Sequence, residues 1–215
     1  MSAATKPADT VSANERVYRS LRQQIMHGEL PPGEALTLRG VAAQFGVSMT
    51  PVRESVRRLV AEGALTLSAS GRVTTPELGN ERIEELAAIR ALLEPELAGR
   101  ALPRAYPALI DRLRVMNANT DQMVVKMDAS GYIRSNLEFH RTLYLRAQAP
   151  AMLAMVETVW LQLGPTMRQL YRQMRRSQRP GHHGAIIAAL KVGDKAALQL
   201  AVRNDVTQGL RMLTV

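Results

Sequence analysis

Two short runs of apolar residues at helical spacing, joined by a glycine turn, restrict this chain more than any other feature. Leu38, Val41, Ala42 and Phe45 recur at i, i+3, i+4 and i+7, which puts them on one side of an α-helix. Gly46 follows, and glycine readily takes the left-handed conformation that closes a helix. Val52, Val56, Leu59 and Val60 make a second stripe at i, i+4, i+7 and i+8. Ser48 or Thr50 can cap that second helix with a hydroxyl, and Pro51 suits its first position, where a missing N–H costs nothing. Two amphipathic helices across a tight turn have the outline of a helix-turn-helix. At about 100° per residue, Thr50, Arg53, Glu54 and Arg57 point away from the apolar stripe.

The flanks extend the pattern. Upstream, Ser12 or Asn14 can cap a helix carrying Val17, Leu21 and Ile25, which ends near Gly28 and Pro31-Pro32-Gly33. Downstream, ALTLSASGRVTT holds two β-prone runs around a Ser/Gly turn, with Gly71 at the tip and Arg72 beside it, the signal of a hairpin. Three helices and a hairpin predict a winged helix-turn-helix over residues 11–76, behind a disordered arm at 1–10. In such a fold the exposed start of the second helix of the motif meets base edges and phosphates. The plainer alternative is an ordinary surface helix in which Glu54 pairs with Arg57 or Arg58.

Composition limits the chemistry. The chain has 215 residues, enough for one large or two small domains, with 46% hydrophobic residues to build a core. Aromatics make up only 4%, too few for the stacking platforms of single-strand binders. There is no cysteine, so no disulfide framework or thiolate metal site, which suits a reducing cytoplasm. MSAATKPADTVSANER lacks an apolar core and does not read as a signal peptide, and no apolar run is long enough to span a membrane. The net charge of +9 favours polyanionic partners without locating their site. Residues 1–78 hold 9 Lys+Arg against 7 Asp+Glu, and residues 79–215 hold 19 against 12. A linker is expected at 74–80, around Pro76 and Gly79.

From residue 80 onward the periodicity predicts an all-α bundle, with helices over 81–101, 106–127, 131–147, 151–175, 183–191 and 194–213 and a kink at Gly164-Pro165. Bundles build ligand sites from inward-facing side chains. Asn136 and His140 share a face with Ile133, Leu137, Leu143 and Tyr144; His183 groups with Ile186, Ile187 and Leu190; Asp205 falls among Leu198, Ala201 and Val202. Burying such groups unpartnered is costly. They either satisfy one another or hold a divalent cation, for which two imidazoles, a carboxylate and an amide oxygen are a suitable set. Arg90 shares its face with Ile83, Leu86, Leu93 and Leu97. It either pairs with Glu94 one turn on or offers its guanidinium to a carboxylate ligand.

The segments GELPPG (28–33) and LRGVAAQFGVSMTPVRESVRRLVAEG (38–63) resemble the DNA-binding domain of GntR-type bacterial transcription regulators. The resemblance implies that Arg39, Ser48, Thr50 and Arg53 contact DNA, with Gly71 and Arg72 at the wing. Arg57, on the same exposed face, and Met49, where the family usually has arginine, complete the expected set. The second half, through AIRALLE, NLEFHR, HHGAIIAALKVGD and the last helix, resembles the FCD effector domain of the FadR-type branch. That domain implies a divalent metal held by one Asp and three His. Asn136 stands where the Asp is usual, His140 and His183 match, and Asp205 stands where the third His is usual. The expectation is a cytoplasmic homodimeric regulator, a repressor, that reads palindromic double-stranded operator DNA. Its bundle would bind zinc, nickel or manganese and a small carboxylate effector such as an organic or sugar acid, with Arg90 at the effector. Two alternatives stay open: the same regulator with a metal-free effector site, and a metal-dependent enzyme on the His/His/Asp set. The winged helix argues against the enzyme, as does the lack of an inward general base beyond the ligands.

Overall fold

The computed structural model describes residues 11–177 and 182–211; the arm expected at 1–10 and the Pro180-Gly181 break lie outside them. The fold is mostly α, a small winged unit followed by a helical bundle. Helix α1 (Ala13–Met26) is capped by Ser12, whose hydroxyl accepts the N–H of Glu15 at 3.2 Å, and it buries Val17, Tyr18, Leu21 and Ile25. α2 (Leu38–Phe45) starts at Thr37, whose Oγ1 accepts the Gly40 N–H, and stops at Gly46 with φ 61° and ψ 38°. α3 (Met49–Ala61) packs Val52, Val56 and Leu59 onto α1.

Its start differs from expectation. Ser48 occupies the cap position without a side-chain bond, and Pro51 is the third helical residue rather than the first. Proline is tolerated there because first-turn N–H groups have no intrahelical acceptor.

The hairpin is present. β2 (Thr66–Leu67) pairs antiparallel with β3 (Val73–Thr74), with Gly71 at φ 81° in the turn between them. A third strand, β1 (Ala35–Leu36), pairs with the other side of β3, giving the order β1-β3-β2. Two residues carry no periodic signal, so this strand was not expected. The buried Thr75 fastens it: its hydroxyl donates to the Pro31 carbonyl at 2.6 Å and accepts the Glu34 N–H at 3.0 Å.

The bundle comprises α4 (Asn80–Ala101), α5 (Pro107–Val125), α6 (Ala129–Tyr144), α7 (Pro150–Ser177), α8 (His183–Val192) and α9 (Lys195–Arg211). Short 3-10 turns follow α4 and α6. α6 begins two residues earlier than expected because Asp128 caps it, accepting the Gly131 N–H at 2.8 Å. α4 runs along α9, and α5 along α6. Their core includes Leu86, Leu97, Leu113, Phe139, Leu143, Val156, Ile186, Leu198 and Val202. Among the described residues no helix is long and apolar enough to cross a membrane.

α7 runs as one helix through Gly164-Pro165, the pair expected to kink it. Gly164 serves a close approach instead: a Cβ there would lie 2.1 Å from the Ile25 carbonyl oxygen of α1. One turn earlier, Leu161 is fully buried in the core of the winged unit. Burying one leucine stabilises by roughly 2 kcal/mol, so α7 belongs to both cores.

Candidate metal centre and nucleic-acid interface

α6, α8 and α9 bring His140, His183 and Asp205 together, with one ligand atom of each inside a 4.8 Å group. His140 is fully buried, His183 is buried, and the Asp205 side chain keeps 14% of its surface. His140 Nε2 lies 2.9 Å from Asp205 Oδ2. The oxygen does not line up as a hydrogen-bond acceptor, and Nε2 of both histidines is buried without a hydrogen-bond partner. Two lone pairs this close repel, and the contact is relieved by a proton or a metal ion shared between them or by a small separation of the two side chains. Adjacent positions at right angles around an ion with ~2.1 Å bonds are about 3 Å apart. The donor set therefore fits a divalent ion.

The other ring nitrogens are occupied. His140 Nδ1 is 3.1 Å from the Tyr144 hydroxyl, and His183 Nδ1 is 3.1 Å from Asn117 Oδ1. The Phe139 ring stacks on the His183 ring at 3.8 Å between centroids, with 9° between planes. Burial pushes the Asp205 carboxyl up, but His140, His183 and Arg90 outweigh it and bring the pKa down to about 2. Burial pulls His183 down to about 4 against the opposing pull of Asp205, because a charged imidazole loses its hydration there.

Asn136 is half-buried one turn before His140, but the amide that meets a histidine belongs to Asn117. Arg90 takes the plainer of its two expected roles. Its Nε donates to Glu94 Oε1 at 2.5 Å and its Nη2 to Oε2 at 3.5 Å, a buried ion pair. Tyr144 and Trp160 also donate to Glu94, at 2.9 and 3.0 Å. Burial alone would lower the Arg90 pKa, but Glu94 more than offsets it. Sequence reasoning missed Asn117, Phe139, Tyr144 and Trp160. Tyr144 was legible as the residue four after His140 on one helix face, whereas the rest come from other helices or a neighbouring position with no periodic signal.

On the winged unit, Arg39, Ser48, Thr50, Arg53, Arg57, Gly71 and Arg72 are all exposed. Arg39, Arg53, Arg57 and Arg72 make no ion pair among the described residues, leaving four guanidinium groups free. Glu54 accepts from Asn14 Nδ2 at 2.8 Å rather than pairing with Arg57 or Arg58. Met49 is half-buried against the winged-unit core, so packing occupies part of its side chain. Arg58 is tied inward: its guanidinium lies 3.5 Å over the Tyr18 ring and pairs with Glu15 and Glu62.

The two units are stitched by α7. Gln162 Nε2 donates to the Glu62 carbonyl at 3.0 Å, and its Oε1 accepts from Arg82 at 2.9 Å. Arg168 donates to the Gly28 carbonyl at 3.1 Å.

A winged helix joined to a helical bundle with a His/His/Asp cluster points to a class, the DNA-binding regulators with a second, all-helical domain. Residues 13–73 match the family described as bacterial regulatory proteins, gntR family, and residues 85–208 match the FCD domain. The chain belongs to the GntR family of transcription regulators, in its FCD-containing branch. It is 30% identical over 206 residues to the HTH-type transcriptional regulator McbR of Escherichia coli (strain K12), covering 94% of this chain and 93% of that one. It is 27% identical over 197 residues to the gluconate operon transcriptional repressor of Bacillus subtilis (strain 168), covering 87% and 79%. The solved structure of E. coli McbR/YncC superposes with a TM-score of 0.85 at 29% identity, over 95% of this chain and 98% of that one. These relatives are regulators, and so is this protein, not an enzyme.

Proposed function

We propose that this regulator is a cytoplasmic homodimeric repressor whose bundle holds a divalent cation and releases or grips DNA in response to a small carboxylate. His140, His183 and Asp205 would hold the ion, with Asn136 near enough in sequence to test as a fourth donor. The observation that carries this reading is a pair of buried Nε2 atoms without hydrogen-bond partners, in a cluster that includes the Asp205 carboxylate. Zinc, nickel and manganese all suit imidazole and carboxylate donors.

When bound, the cation supplies a positive charge that polarises and anchors an anionic oxygen. Two neutral imidazoles and one carboxylate leave a divalent ion with net positive charge, and the Arg90–Glu94 pair adds none. The cluster with its ion would therefore favour anions. Arg90 keeps Nη1 as the guanidinium nitrogen that Glu94 does not bind. A sugar or organic acid answers that chemistry, and a relative is named for a gluconate operon.

On the winged unit, Arg39, Thr50, Arg53 and Arg57 would read or clamp the duplex from α2 and α3, with Ser48 and Met49 at the helix start and Gly71 and Arg72 at the wing. Two-fold symmetric proteins of this type read palindromic half-sites. An effector shifts operator affinity only by its differential affinity for the two states of the regulator. α7 is the element through which that difference passes, because it packs in both cores.

The test is metal analysis of protein purified without added metal or chelator, followed by thermal-shift screening of sugar and organic acids with and without chelator. A cation-bound protein whose stabilisation by an acid disappears on chelation is the expected result, since a ligand specific to the folded state raises stability by mass action. Stabilisation by an acid that survives chelation of every trace of metal would instead select the metal-free effector site.

A further inference from the structure

Both imidazoles of the cluster are held from behind by a hydrogen bond whose direction can be worked out. Tyr144 Oη lies between His140 Nδ1 at 3.1 Å and Glu94 Oε2 at 2.9 Å. The phenol has one proton, and an oxygen 2.9 Å from a carboxylate oxygen needs that proton between them. Glu94 is a carboxylate already fixed by Arg90 and by Trp160 Nε1, so it can only accept. The Tyr144 proton therefore goes to Glu94, and the phenol oxygen is left to accept from His140. His140 must carry its proton on Nδ1.

The second imidazole repeats the logic with different residues. Asn117 Nδ2 donates to Asp121 Oδ2 at 3.3 Å, which orients the amide so that Oδ1 faces His183 Nδ1. An amide oxygen only accepts, so His183 also carries its proton on Nδ1. The Phe139 ring stacked on His183 holds the plane in which its Nε2 points.

We propose that Tyr144 and Asn117 are positioning residues that lock both histidines in the Nδ1–H tautomer, so that both Nε2 lone pairs are presented to the same point beside Asp205. The proposal rests on the reading of this cluster as a cation site and adds the residues that make it one. Without the Tyr144 oxygen nothing holds the proton on Nδ1, and His140 can carry it on Nε2 instead, where a small turn of either side chain brings Asp205 Oδ2, 2.9 Å away, into line to accept it. Such a bond would use up two of the three donors at once. Each lock ends on an acid, Glu94 for Tyr144 and Asp121 for Asn117, as outer partners of metal-binding histidines often do.

Glu94 also ties the first lock to α7. It accepts from Trp160, and the next two residues, Leu161 and Gln162, engage the winged unit. The chain contains a single tryptophan, so Trp160 emission reports on this junction alone.

The test uses the full-length protein with 15N-labelled histidine, freed of metal at pH 8, and reads which ring nitrogen carries the proton from nitrogen shifts. Protonated Nδ1 on both His140 and His183 is expected, with His140 changing to the Nε2–H tautomer in Tyr144→Phe. An unprotonated Nδ1 on either ring of the wild type overturns the proposal, whatever the cluster binds. A second arm titrates zinc into wild type, Tyr144→Phe, Asn117→Leu and Asn117→Asp, with circular dichroism and melting of the metal-free proteins as fold controls. Tyr144→Phe and Asn117→Leu should weaken zinc by about ten- to a hundredfold, whereas Asn117→Asp, which keeps an acceptor, should retain it. Zinc should also alter Trp160 emission in wild type and do so less in Tyr144→Phe at saturation. Wild-type binding with all variants within twofold would overturn the positioning roles while leaving the cation site standing. No zinc binding by wild type would remove the cation site itself, and the nitrogen shifts would still decide the tautomers.

Discussion

Gln162 of α7 donates its side-chain amide to the main-chain carbonyl of Glu62, the residue that ends α3, at 3.0 Å. The carbonyls of a helix's last turn have no partner within the helix, so the bundle supplies the donor that an acceptor at the end of α3 lacks. Arg82 holds the Gln162 oxygen from α4. A movement of α4 or α7 would thus reach α3 through one side chain and the buried Leu161 beside it.

Gly164→Ala tests this junction. The new Cβ would meet the Ile25 carbonyl at 2.1 Å and the Met26 Cα at 2.8 Å, both backbone atoms that cannot swing aside. The helices must separate, with a destabilisation of about 1–3 kcal/mol as for other overpacked sites. Denaturant unfolding should show that loss. Operator binding should become less sensitive to effector, because α1 and α7 no longer move together. An alanine variant of wild-type stability and wild-type effector response would show that the close approach is not rigid.

Arg53→Ala and Arg58→Ala should separate recognition from scaffolding. Arg53 is exposed without an ion pair, whereas Arg58 is held by Glu15, Glu62 and the Tyr18 ring. Arg53→Ala should leave melting unchanged. It should cost roughly 1–3 kcal/mol at a base it reads, or lower the salt slope by about one unit if it contacts phosphate. Arg58→Ala should lower stability with a smaller effect on the salt slope. Gel-shift or fluorescence titrations at several salt concentrations measure both, and the reverse pattern would place recognition elsewhere.

Much of this organisation was legible in the sequence for a physical reason. The stripes of α1, α2 and α3 are local, and the closing glycines Gly46 and Gly71 carry their signals with them. His140, His183 and Asp205 were legible because each is a polar residue on an apolar helix face. What was not legible is what a neighbour decides. Gly164-Pro165 reads locally as a helix-disfavouring pair, and nothing local shows that the glycine also makes room for the Ile25 carbonyl of α1. Strand β1 exists only because β3 lies beside it. Asn117 lies one helix away from His183, and nothing local distinguishes it from Asn136.

Acid should destabilise the metal-free protein in a predictable window. His183 has a folded pKa of about 4, below its ordinary value of 6.5, so between those values the unfolded chain binds a proton that the folded chain refuses. Its contribution is complete above about pH 6.5 and is lost as pH falls toward 4, roughly 3 kcal/mol. Asp205, lowered from 3.8 to about 2, extends the loss to lower pH. Chelated protein unfolded in denaturant at pH 7.5, 6, 5 and 4 should lose stability monotonically, and His183→Asn should flatten the upper part of the curve. A flat wild-type profile between pH 6.5 and 4 would mean that His183 is not held neutral.

The last prediction concerns which residue carries the charge of the cluster. His140→Ala and His183→Ala should each abolish stoichiometric cation binding, and the chelated wild type should melt like either variant in its metal-free form. Asp205→Asn should release the cation far more readily than Asn136→Ala. Asp205 Oδ2 is the oxygen beside His140 Nε2, whereas the imidazole hydrogen bonds go to Tyr144 and Asn117 rather than to Asn136. Removing that carboxylate deletes the cluster's anionic donor, and two neutral imidazoles bind a divalent ion weakly on their own. Asp205→His should keep the ion with reduced affinity, and Asn136→Asp combined with Asp205→His should restore it by returning a carboxylate to the site. The opposing account has Asp205 serving only as a counter-charge to Arg90, which also pulls its pKa down. That account predicts the same cation content in wild type and Asp205→Asn, with a loss of stability alone. Metal content by mass spectrometry and a chelator titration of the Asp205 and Asn136 variants decide between the two.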